Sequence, residues 1–194
     1  MARSGELGST QVIVADSGWK IGDPSQWRLN KKLAGGGSLM DIGIYSLQAA
    51  RYLSGEEPIA VNAAMYTTPN DPRFKEVEET INFQLRFPSG VLANCTSSYG
   101  YASQSHYRVV GTEGWLDMEP ATLYNGLRMR VHRRDATEER PLPVRDHFAL
   151  EMDHMSDCVI QNQEPLTPGE EGLRDLKLIA AIYAAARTEK TVKL

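Results

Sequence analysis

The sequence lacks the features that mark membrane, exported and nucleic-acid-binding proteins. None of its apolar runs reaches the roughly 18 residues that a bilayer span requires. The opening residues, MARSGELGST, contain no apolar segment of a secretory signal, which favours a cytoplasmic over a periplasmic location. A periplasmic location stays open if the natural chain begins upstream of Met1. The formal net charge is -4 and the basic residues are scattered, so we expect no nucleic-acid partner.

Cysteine is also scarce, which excludes a fold stapled by disulfides. The two cysteines, Cys95 and Cys158, lie far apart and form no C-x-x-C pair, so we expect buried reduced thiols. Glu151 and His154 form an E-x-x-H pattern on a predicted helix. Because no second carboxylate helix accompanies it, this pattern favours packing and hydrogen bonding over metal ligation. We therefore expect no metal site.

The length and composition predict one compact globular domain. The chain has 194 residues, of which 41% are hydrophobic and 24% charged, as is typical of folded proteins. Residues from Gln11 onward form a β-branched run, and from Ile59 to Val131 apolar and polar residues alternate between turns. The clearest hairpin joins Ile81–Phe87 to the next strand through Pro88-Ser89-Gly90. This pattern predicts an antiparallel sheet of about six strands.

Helical periodicity marks three other segments. Apolar residues recur at helical spacing from Leu39 to Leu53, and Gly55 supplies a stop. Two further stripes lie near the C-terminus: Phe148, Met152, Met155 and Val159, and then Leu173, Leu176, Ala180, Tyr183 and Arg187. We expect these helices to pack on one face of the sheet, with TVKL as a final short strand. The predicted fold class is α+β, an open-faced antiparallel sheet with helices on one face.

The second face of such a sheet needs a cover. Few apolar residues remain for a second layer, and faces rich in Phe, Leu, Val and Tyr rarely stay exposed. We expect a partner subunit on this face, as in a homodimer or homotetramer. The alternative is a face polar enough to stand alone.

The stretch LAGGGSLMDIGIYSLQAARYLSG carries the candidate chemistry. Asp41 and Tyr45 are four residues apart on one helical face, with Gln48 on the same side. This face differs from the apolar stripe, so both side chains should point away from the helix's own core contacts. A structural interpretation is also open, since Ser38 and Asp41 match a capping box and Tyr45 could be a core aromatic.

A catalytic interpretation of Tyr45 requires a cation. A tyrosine that acts as a general acid or base needs a pKa below its ordinary value of about 10, and a nearby cation can lower it. No lysine lies one helical turn from Tyr45. The cation, and any redox cofactor, would therefore come from elsewhere.

Two segments closely resemble a known family. Residues 27–58, WRLNKKLAGGGSLMDIGIYSLQAARYLSGEEP, are similar to the C-terminal domain of the glucose-fructose oxidoreductase / inositol dehydrogenase (Gfo/Idh/MocA) family, especially its glucose-fructose oxidoreductase branch. The final residues, from DHFALEMDHM to TVKL, resemble the family's two closing helices with their P-x-T-P-G-E-E-G-L-x-D-L connection. The resemblance covers nearly the whole chain.

The resemblance implies a place for this chain in a two-domain enzyme. Residues 1–194 would form the C-terminal domain, which contacts substrate and builds the oligomer, while an N-terminal Rossmann domain binds NADP or NAD. The family's catalytic lysine lies in an E-K-P motif of that domain, and its D-x-x-x-H/Y pair falls on Asp41 and Tyr45. Tyrosine in place of histidine is typical of the glucose-fructose oxidoreductase branch.

The resemblance also implies further substrate contacts. The family's Trp-Arg pair falls on Trp27 and Arg28, which would stack against and hydrogen-bond a sugar; a loop anchor is the alternative for Trp27. Arg28 is in addition a candidate cofactor contact. Lys20 and His147 lie at the ends of predicted elements and are candidate substrate-binding residues.

The chain departs from the family where the cofactor is concerned. It has no G-x-G-x-x-G after an opening strand and no E-K-P lysine. We therefore expect the C-terminal half of an NAD(P)-dependent oxidoreductase that transfers hydride to or from a sugar or polyol, inactive by itself. The alternatives are a non-catalytic sugar-binding or assembly module and an NAD-dependent glycosidase of the same family.

Overall fold

A computed structural model describes all 194 residues, and its centre is one sheet of nine strands. The strands in chain order are β1 (Thr10–Gly18), β2 (Ala60–Tyr66), β3 (Thr80–Arg86), β4 (Leu92–Ser98), β5 (Gln104–Gly111), β6 (Gly114–Met118), β7 (Met129–Arg133), β8 (Ala136–Arg140) and β9 (Val192–Lys193). Their order across the sheet is β8-β7-β6-β5-β1-β4-β3-β2-β9. The predicted α+β class and the final strand in TVKL are confirmed.

Two details of the sheet differ from the prediction. It has nine strands rather than about six, and β1 pairs in parallel with β4 while every other neighbouring pair is antiparallel. The parallel pair arises because a helical crossover and the β2–β3 hairpin separate β1 from β4 along the chain. Because β1 and β4 run in the same direction, the segments that follow them leave the sheet side by side. Backbone hydrogen bonds of 3.0 Å, from Trp19 to Ser98 and from Ile21 to Tyr99, extend this pairing beyond the strands.

Two of the helices cover one face of the sheet. The helices are α1 (Lys31–Ala34), α2 (Ile44–Ser54), α3 (His147–Gln161) and α4 (Gly169–Thr188), and a π-helical turn, Leu39–Gly43, leads directly into α2. Helix α2 packs on β1 and β4, and α4 packs on β2. The core between these layers includes Ile13, Leu47, Phe83, Leu85 and Ile182. No helix has both the length and the apolar character needed to cross a membrane.

The two C-terminal stripes do not bury as predicted. All four residues of the first stripe, Phe148, Met152, Met155 and Val159, are exposed, because α3 has no extensive contact with the sheet. On α4, Leu173 and Leu176 are exposed, and the buried residues are Asp175, Leu178, Ile179, Ile182, Ala185 and Ala186. The buried face of α4 differs from the predicted stripe because Asp175 points inward, where its Oδ1 lies 2.6 Å from a terminal nitrogen of the buried Arg51 guanidinium.

The open face of the sheet is mixed in character, with polar pairs on β3 and β4 and an apolar row, Leu92, Val12, Val110 and Trp115, across β4, β1, β5 and β6. Amide and hydroxyl side chains pair across its strands, as between Asn82 and Thr96 at 3.0 Å and between Gln84 and Asn94 at 3.0 Å. The large apolar residues of β3 alternate to the other side, where they meet the helices.

Candidate active site

A glycine-rich turn sets the entry to the segment that carries Asp41. Helix α1 ends at Gly35, whose φ of 80° is a left-handed conformation that glycine adopts without strain. Gly36 and Gly37 are small for a different reason, since an added Cβ would lie 2.1 Å from the Tyr183 hydroxyl or 2.1 Å from the Glu78 carbonyl oxygen. The turn can therefore come this close to Tyr183 and Glu78 only because residues 36 and 37 are glycines.

The predicted capping box is wrong. Ser38 has helical backbone angles and caps nothing; its hydroxyl hydrogen-bonds with the Ser97 hydroxyl at 3.1 Å. The backbone amides at this helix start instead donate to the carboxylate of Glu78, from Gly37 at 2.9 Å and from Leu39 at 3.0 Å. Asp41 is thus free of any capping role, and its side chain is available for other contacts.

Asp41 forms an ion pair with Arg28, which comes from the loop after β1. The Nε atom of Arg28 lies 3.2 Å from both carboxylate oxygens of Asp41. The guanidinium also stacks over the Trp27 ring, 4.7 Å from its centroid. Neither terminal nitrogen of Arg28 makes a hydrogen bond within the chain, so two pairs of N–H donors remain for a ligand. Trp27 is 53% exposed, so about half of its surface stays in contact with solvent although Arg28 stacks on its ring.

Tyr45 faces outward at the start of α2. Its side chain is 51% exposed, and its hydroxyl makes no hydrogen bond in this domain, which contradicts the core-aromatic interpretation. The backbone carbonyl of Tyr45 is held from behind, because it accepts a 3.0 Å hydrogen bond from the Tyr107 hydroxyl on β5. Burial raises the pKa of Tyr107, so this hydroxyl stays protonated and remains a donor. The phenol of Tyr45 is therefore anchored through its backbone and open at its reactive end.

A buried tyrosine lies near Asp41. Tyr99 follows β4, packs edge-on against Trp19 with ring centroids 5.8 Å apart, and is fully buried. Its hydroxyl is the one buried side-chain polar atom without a hydrogen-bond partner. Burial, and after it the negative charge of Asp41, raises the pKa of Tyr99 well above its ordinary value. Tyr99 thus supplies a neutral hydroxyl close to the Asp41 carboxylate.

The other predicted residues are less clearly placed. Lys20 is exposed and lies between Trp19 and Ile21, both of which belong to the small core cluster with Tyr99. His147 is the half-buried first residue of α3. Gln48 does not share the Asp41 side, because its amide hydrogen-bonds to Asp175 of α4. The structure shows no contact of Lys20 or His147 with Asp41 or Tyr45, so their roles stay predictions.

Several residues of this region were missed in the sequence. Four residues reach the segment from elsewhere in the fold: Glu78 from the loop before β3, Tyr99 from the end of β4, Tyr107 from β5 and Tyr183 from α4. The one local signal was the pair Glu78-Glu79 between the apolar Val77 and Ile81, where two adjacent carboxylates enter a strand pattern. The backbone amides that Glu78 meets lie about forty residues away in the chain, so the local pattern does not identify them.

The structure shows no cluster of three or more His, Cys, Asp or Glu side chains arranged to hold a metal ion. His154 of the E-x-x-H pattern accepts a 3.0 Å hydrogen bond from the Leu166 backbone amide, which ties the end of α3 to the following loop.

Comparison with known proteins identifies the family. Residues 3–194 match the family described as "Oxidoreductase family, C-terminal alpha/beta domain". The chain belongs to the Gfo/Idh/MocA oxidoreductase family. The family expected from the sequence is thereby confirmed.

Individual members of the Gfo/Idh/MocA family are similar over nearly the whole chain. A D-xylose 1-dehydrogenase [NADP(+)] of Haloarcula marismortui is 36% identical over 176 residues, which cover 90% of this chain and 48% of that protein. The crystal structure of an aldose-aldose oxidoreductase from Caulobacter crescentus, complexed with glycerol, has a TM-score of 0.95 and 54% identity, covering 99% of this chain and 58% of that one. The chain therefore spans about half the length of the relatives it matches.

A third comparison concerns the fold alone. A 3-ketoreductase from Actinomadura kijaniata, solved in complex with NADP and TDP-benzene, superimposes with a TM-score of 0.81 at 24% identity, over 93% of this chain and 55% of that one. The sheet and its covering helices are thus retained at low sequence identity.

Proposed function

We propose that this chain is the substrate-binding domain of an NAD(P)-dependent oxidoreductase that moves hydride between the cofactor and a sugar or polyol. The observation that carries the proposal is the exposed, unbonded hydroxyl of Tyr45, on the helical segment that also carries the incompletely satisfied Arg28–Asp41 ion pair. Membership of the oxidoreductase family supports the reaction class. The names of the relatives, an NADP(+)-dependent xylose dehydrogenase and an aldose-aldose oxidoreductase, support an aldose substrate and favour NADP.

Tyr45 is proposed as the general acid and base. When a substrate hydroxyl is oxidised, the Tyr45 oxygen takes its proton, and in the reverse direction it returns a proton to the carbonyl oxygen. The nicotinamide, when bound, supplies the hydride exchange. No cation contacts the Tyr45 hydroxyl in this domain, so the lysine that activates it is proposed to come from another domain of the complete protein.

Arg28, Asp41 and Trp27 are proposed to orient the sugar. The Asp41 carboxylate holds the guanidinium of Arg28 by its Nε, which leaves the terminal N–H groups to donate to sugar hydroxyls or to the cofactor. The exposed ring of Trp27 offers a flat apolar face to the C–H side of a pyranose or furanose. Lys20 and His147 are retained as further proposed substrate contacts.

The domain surfaces fit a larger enzyme. Helix α3 exposes an apolar face that the sheet does not cover, as a surface buried in a larger protein would. We propose separately that the nucleotide-binding domain packs against the side of this chain that carries Tyr45. NADP or NAD would be held mainly by that domain, since Arg28 is the one candidate cofactor contact here. A homodimer or homotetramer formed through the open sheet face, and a cytoplasmic location, are retained as proposals.

Tyr45→Phe in the complete protein tests this proposal. The variant keeps the ring and loses only the hydroxyl, so kcat should fall by about two orders of magnitude or more while the melting temperature stays unchanged. Tyr52→Phe is the matched control, because Tyr52 is an exposed tyrosine of the same helix whose hydroxyl makes no hydrogen bond. Wild-type turnover in Tyr45→Phe, measured with NADP and an aldose panel, would contradict the proposed role.

A further inference from the structure

The carboxylate of Glu78 holds the backbone from which Asp41 projects. Glu78 precedes β3, and its residue is only 8% exposed. Its Oε2 accepts from the Gly37 amide at 2.9 Å, and its Oε1 accepts from the Leu39 amide at 3.0 Å and from the Tyr183 hydroxyl at 2.9 Å. No lysine, arginine or histidine forms an ion pair with it.

A buried carboxylate without a cation requires strong compensation from hydrogen bonds. Removing an ionised carboxylate from water carries a large free-energy cost, and donors aimed at its oxygens offset that cost. Here two of the three donors are backbone amides at the start of a helical segment, which have no partners within the helix. Glu78 and the glycine-rich turn therefore stabilise each other.

The surroundings of Glu78 leave the turn little freedom. Gly36 and Gly37 come so close to Tyr183 and Glu78 that neither position has space for a side chain. Gly43, at the other end of the π-helical turn, is similarly close to Ser97, because an added Cβ would lie 2.6 Å from the Ser97 hydroxyl. Asp41 projects from the backbone between these two contact points, and its carboxylate sets the position of Arg28.

We propose that Glu78 is a positioning residue for the reaction, which acts on the substrate through Asp41 by fixing the backbone from Gly37 to Leu39. The inference rests on the function proposed above. It predicts that loss of the Glu78 carboxylate displaces Asp41 without removing any group that touches the substrate.

Hydrogen exchange in the complete protein tests the backbone part of this inference. Glu78→Gln keeps the size of the side chain, but its single carbonyl oxygen cannot accept from both amides, and its NH2 group faces a donor. Exchange in peptides that span Gly36 to Tyr45 should rise by about tenfold or more, as expected when about 1.4 kcal/mol of local protection is lost. Unchanged exchange in this segment would overturn the inference whatever the activity.

Glu79→Gln is the matched control. Glu79 is the adjacent carboxylate and equally buried, at 7% exposed, but it accepts from the Thr68 amide at 2.7 Å and has no contact with the glycine-rich turn. Its replacement should raise exchange around Thr68 and leave exchange from Gly36 to Tyr45 at the wild-type rate. Equal effects of both variants on that segment would show a general loss of packing and would overturn the inference.

Kinetics test the part that concerns Asp41. Glu78→Gln should lower kcat by about tenfold with a smaller effect on the KM for sugar, since Arg28 stays stacked on Trp27. In an Asp41→Asn background the same substitution should cost less than about a twofold further loss, because residues that act through one another are not additive. Tyr183→Phe removes one of the three donors and should show a smaller loss than Glu78→Gln.

The outcomes separate this inference from the proposed function. If Asp41→Asn lowers kcat and Glu78→Gln lowers it by the same factor in both backgrounds, Glu78 does not act through Asp41 and only the inference fails. If Asp41→Asn and Tyr45→Phe both retain wild-type turnover, the proposed function fails. A rise in exchange in Glu78→Gln would then make Glu78 purely structural, and the inference would fail with it.

Discussion

The helical segment from Leu39 to Ser54 has an arginine–carboxylate cluster at each end, and the two clusters differ in almost every respect. At the end of α2, Arg51 is 4% exposed and bonds Glu57, Glu171 and Asp175, with distances of 2.6 to 2.9 Å. At the start, Arg28 is 34% exposed and bonds Asp41 by one nitrogen only. The first guanidinium has every nitrogen paired, and the second has two of its three nitrogens unpaired.

The difference separates a structural cluster from a binding cluster. Arg51 joins α2, α4 and the loop after α2, and no nitrogen remains for a ligand. Its hydrogen bonds with Glu57, opposed by burial, raise the pKa of Arg51, so its charge is permanent. Arg28 is oriented by the protein but not saturated by it, which is the state expected of a residue that completes its hydrogen bonds with a substrate.

Replacing Arg51 should have the largest effect on stability. Arg51→Met leaves Asp175 and Glu171 without their buried cation, and breaking such a pair costs about 3–5 kcal/mol. Arg174→Met is the control, because Arg174 binds the same Glu171 from a position where its side chain is 48% exposed, and it should cost less than about 1 kcal/mol. Urea unfolding measures both variants. A loss below that of the control would show that the buried cluster does not stabilise the fold.

Replacing Arg28 should change binding more than stability. Lysine keeps the charge beside Asp41 but has neither the planar fork nor the stacking surface, so Arg28→Lys should raise the KM for sugar by about tenfold. The melting temperature should change by less than about 3 °C, because the ion pair is partly exposed. Arg3→Lys, which alters the stacking over Tyr52 at 5.7 Å, is the control and should leave KM unchanged. A large loss of stability with an unchanged KM would place Arg28 in the structural class with Arg51.

The smallest effect is expected for Asp175. Burial raises the pKa of Asp175 although Gln48 and Arg51 hydrogen-bond its charged form, and two other carboxylates remain on Arg51. Asp175→Asn should therefore change the free energy of unfolding by less than about 1 kcal/mol at pH 7. Because the pKa of Asp175 is raised in the folded protein, its carboxyl group makes its whole contribution to stability below about pH 4, the pKa of an unfolded aspartate. That contribution is lost as the pH rises through the folded-state pKa.

The pH dependence tests the sign of that shift. Between about pH 4 and pH 7 the variant should become more stable relative to the wild-type protein, because it lacks the carboxyl group whose ionisation is disfavoured. Urea unfolding at several pH values measures the difference. If the wild-type protein instead becomes more stable relative to the variant as pH rises, the attraction of the Arg51 cation exceeds the cost of burial. The pKa of Asp175 is then lowered.

Much of the candidate site could be predicted from the sequence. The helical period placed Asp41 and Tyr45 on an outward face, and the family resemblance added Trp27 and Arg28. The structure shows Arg28 in contact with Asp41 and leaves Tyr45 open to solvent. Their catalytic roles remain proposals, which the Tyr45→Phe experiment addresses.

Other expectations failed because a local pattern does not specify its partner. Ser38 and Asp41 have the spacing of a capping box, yet Glu78 reaches the amides at this helix start from the loop before β3 and displaces that arrangement. The stripe on α3 has the periodicity of a packed helix, yet the sheet offers it no surface. On α4 the buried face includes Asp175 because Arg51 provides the countercharge.

The sequence by itself determined the α+β class, the hairpin of β3 and β4, the helix that stops at Gly55, and the exposed position of Tyr45. These features follow from periodicity and turn chemistry, which act between residues close together in the chain. Tertiary structure decided the rest: the parallel pairing of β1 with β4, the Glu78 carboxylate under the glycine-rich turn, and the saturation of Arg51. Each depends on groups far apart in sequence that become neighbours only when the sheet forms, because burial makes every polar group take the partner that the fold brings within reach.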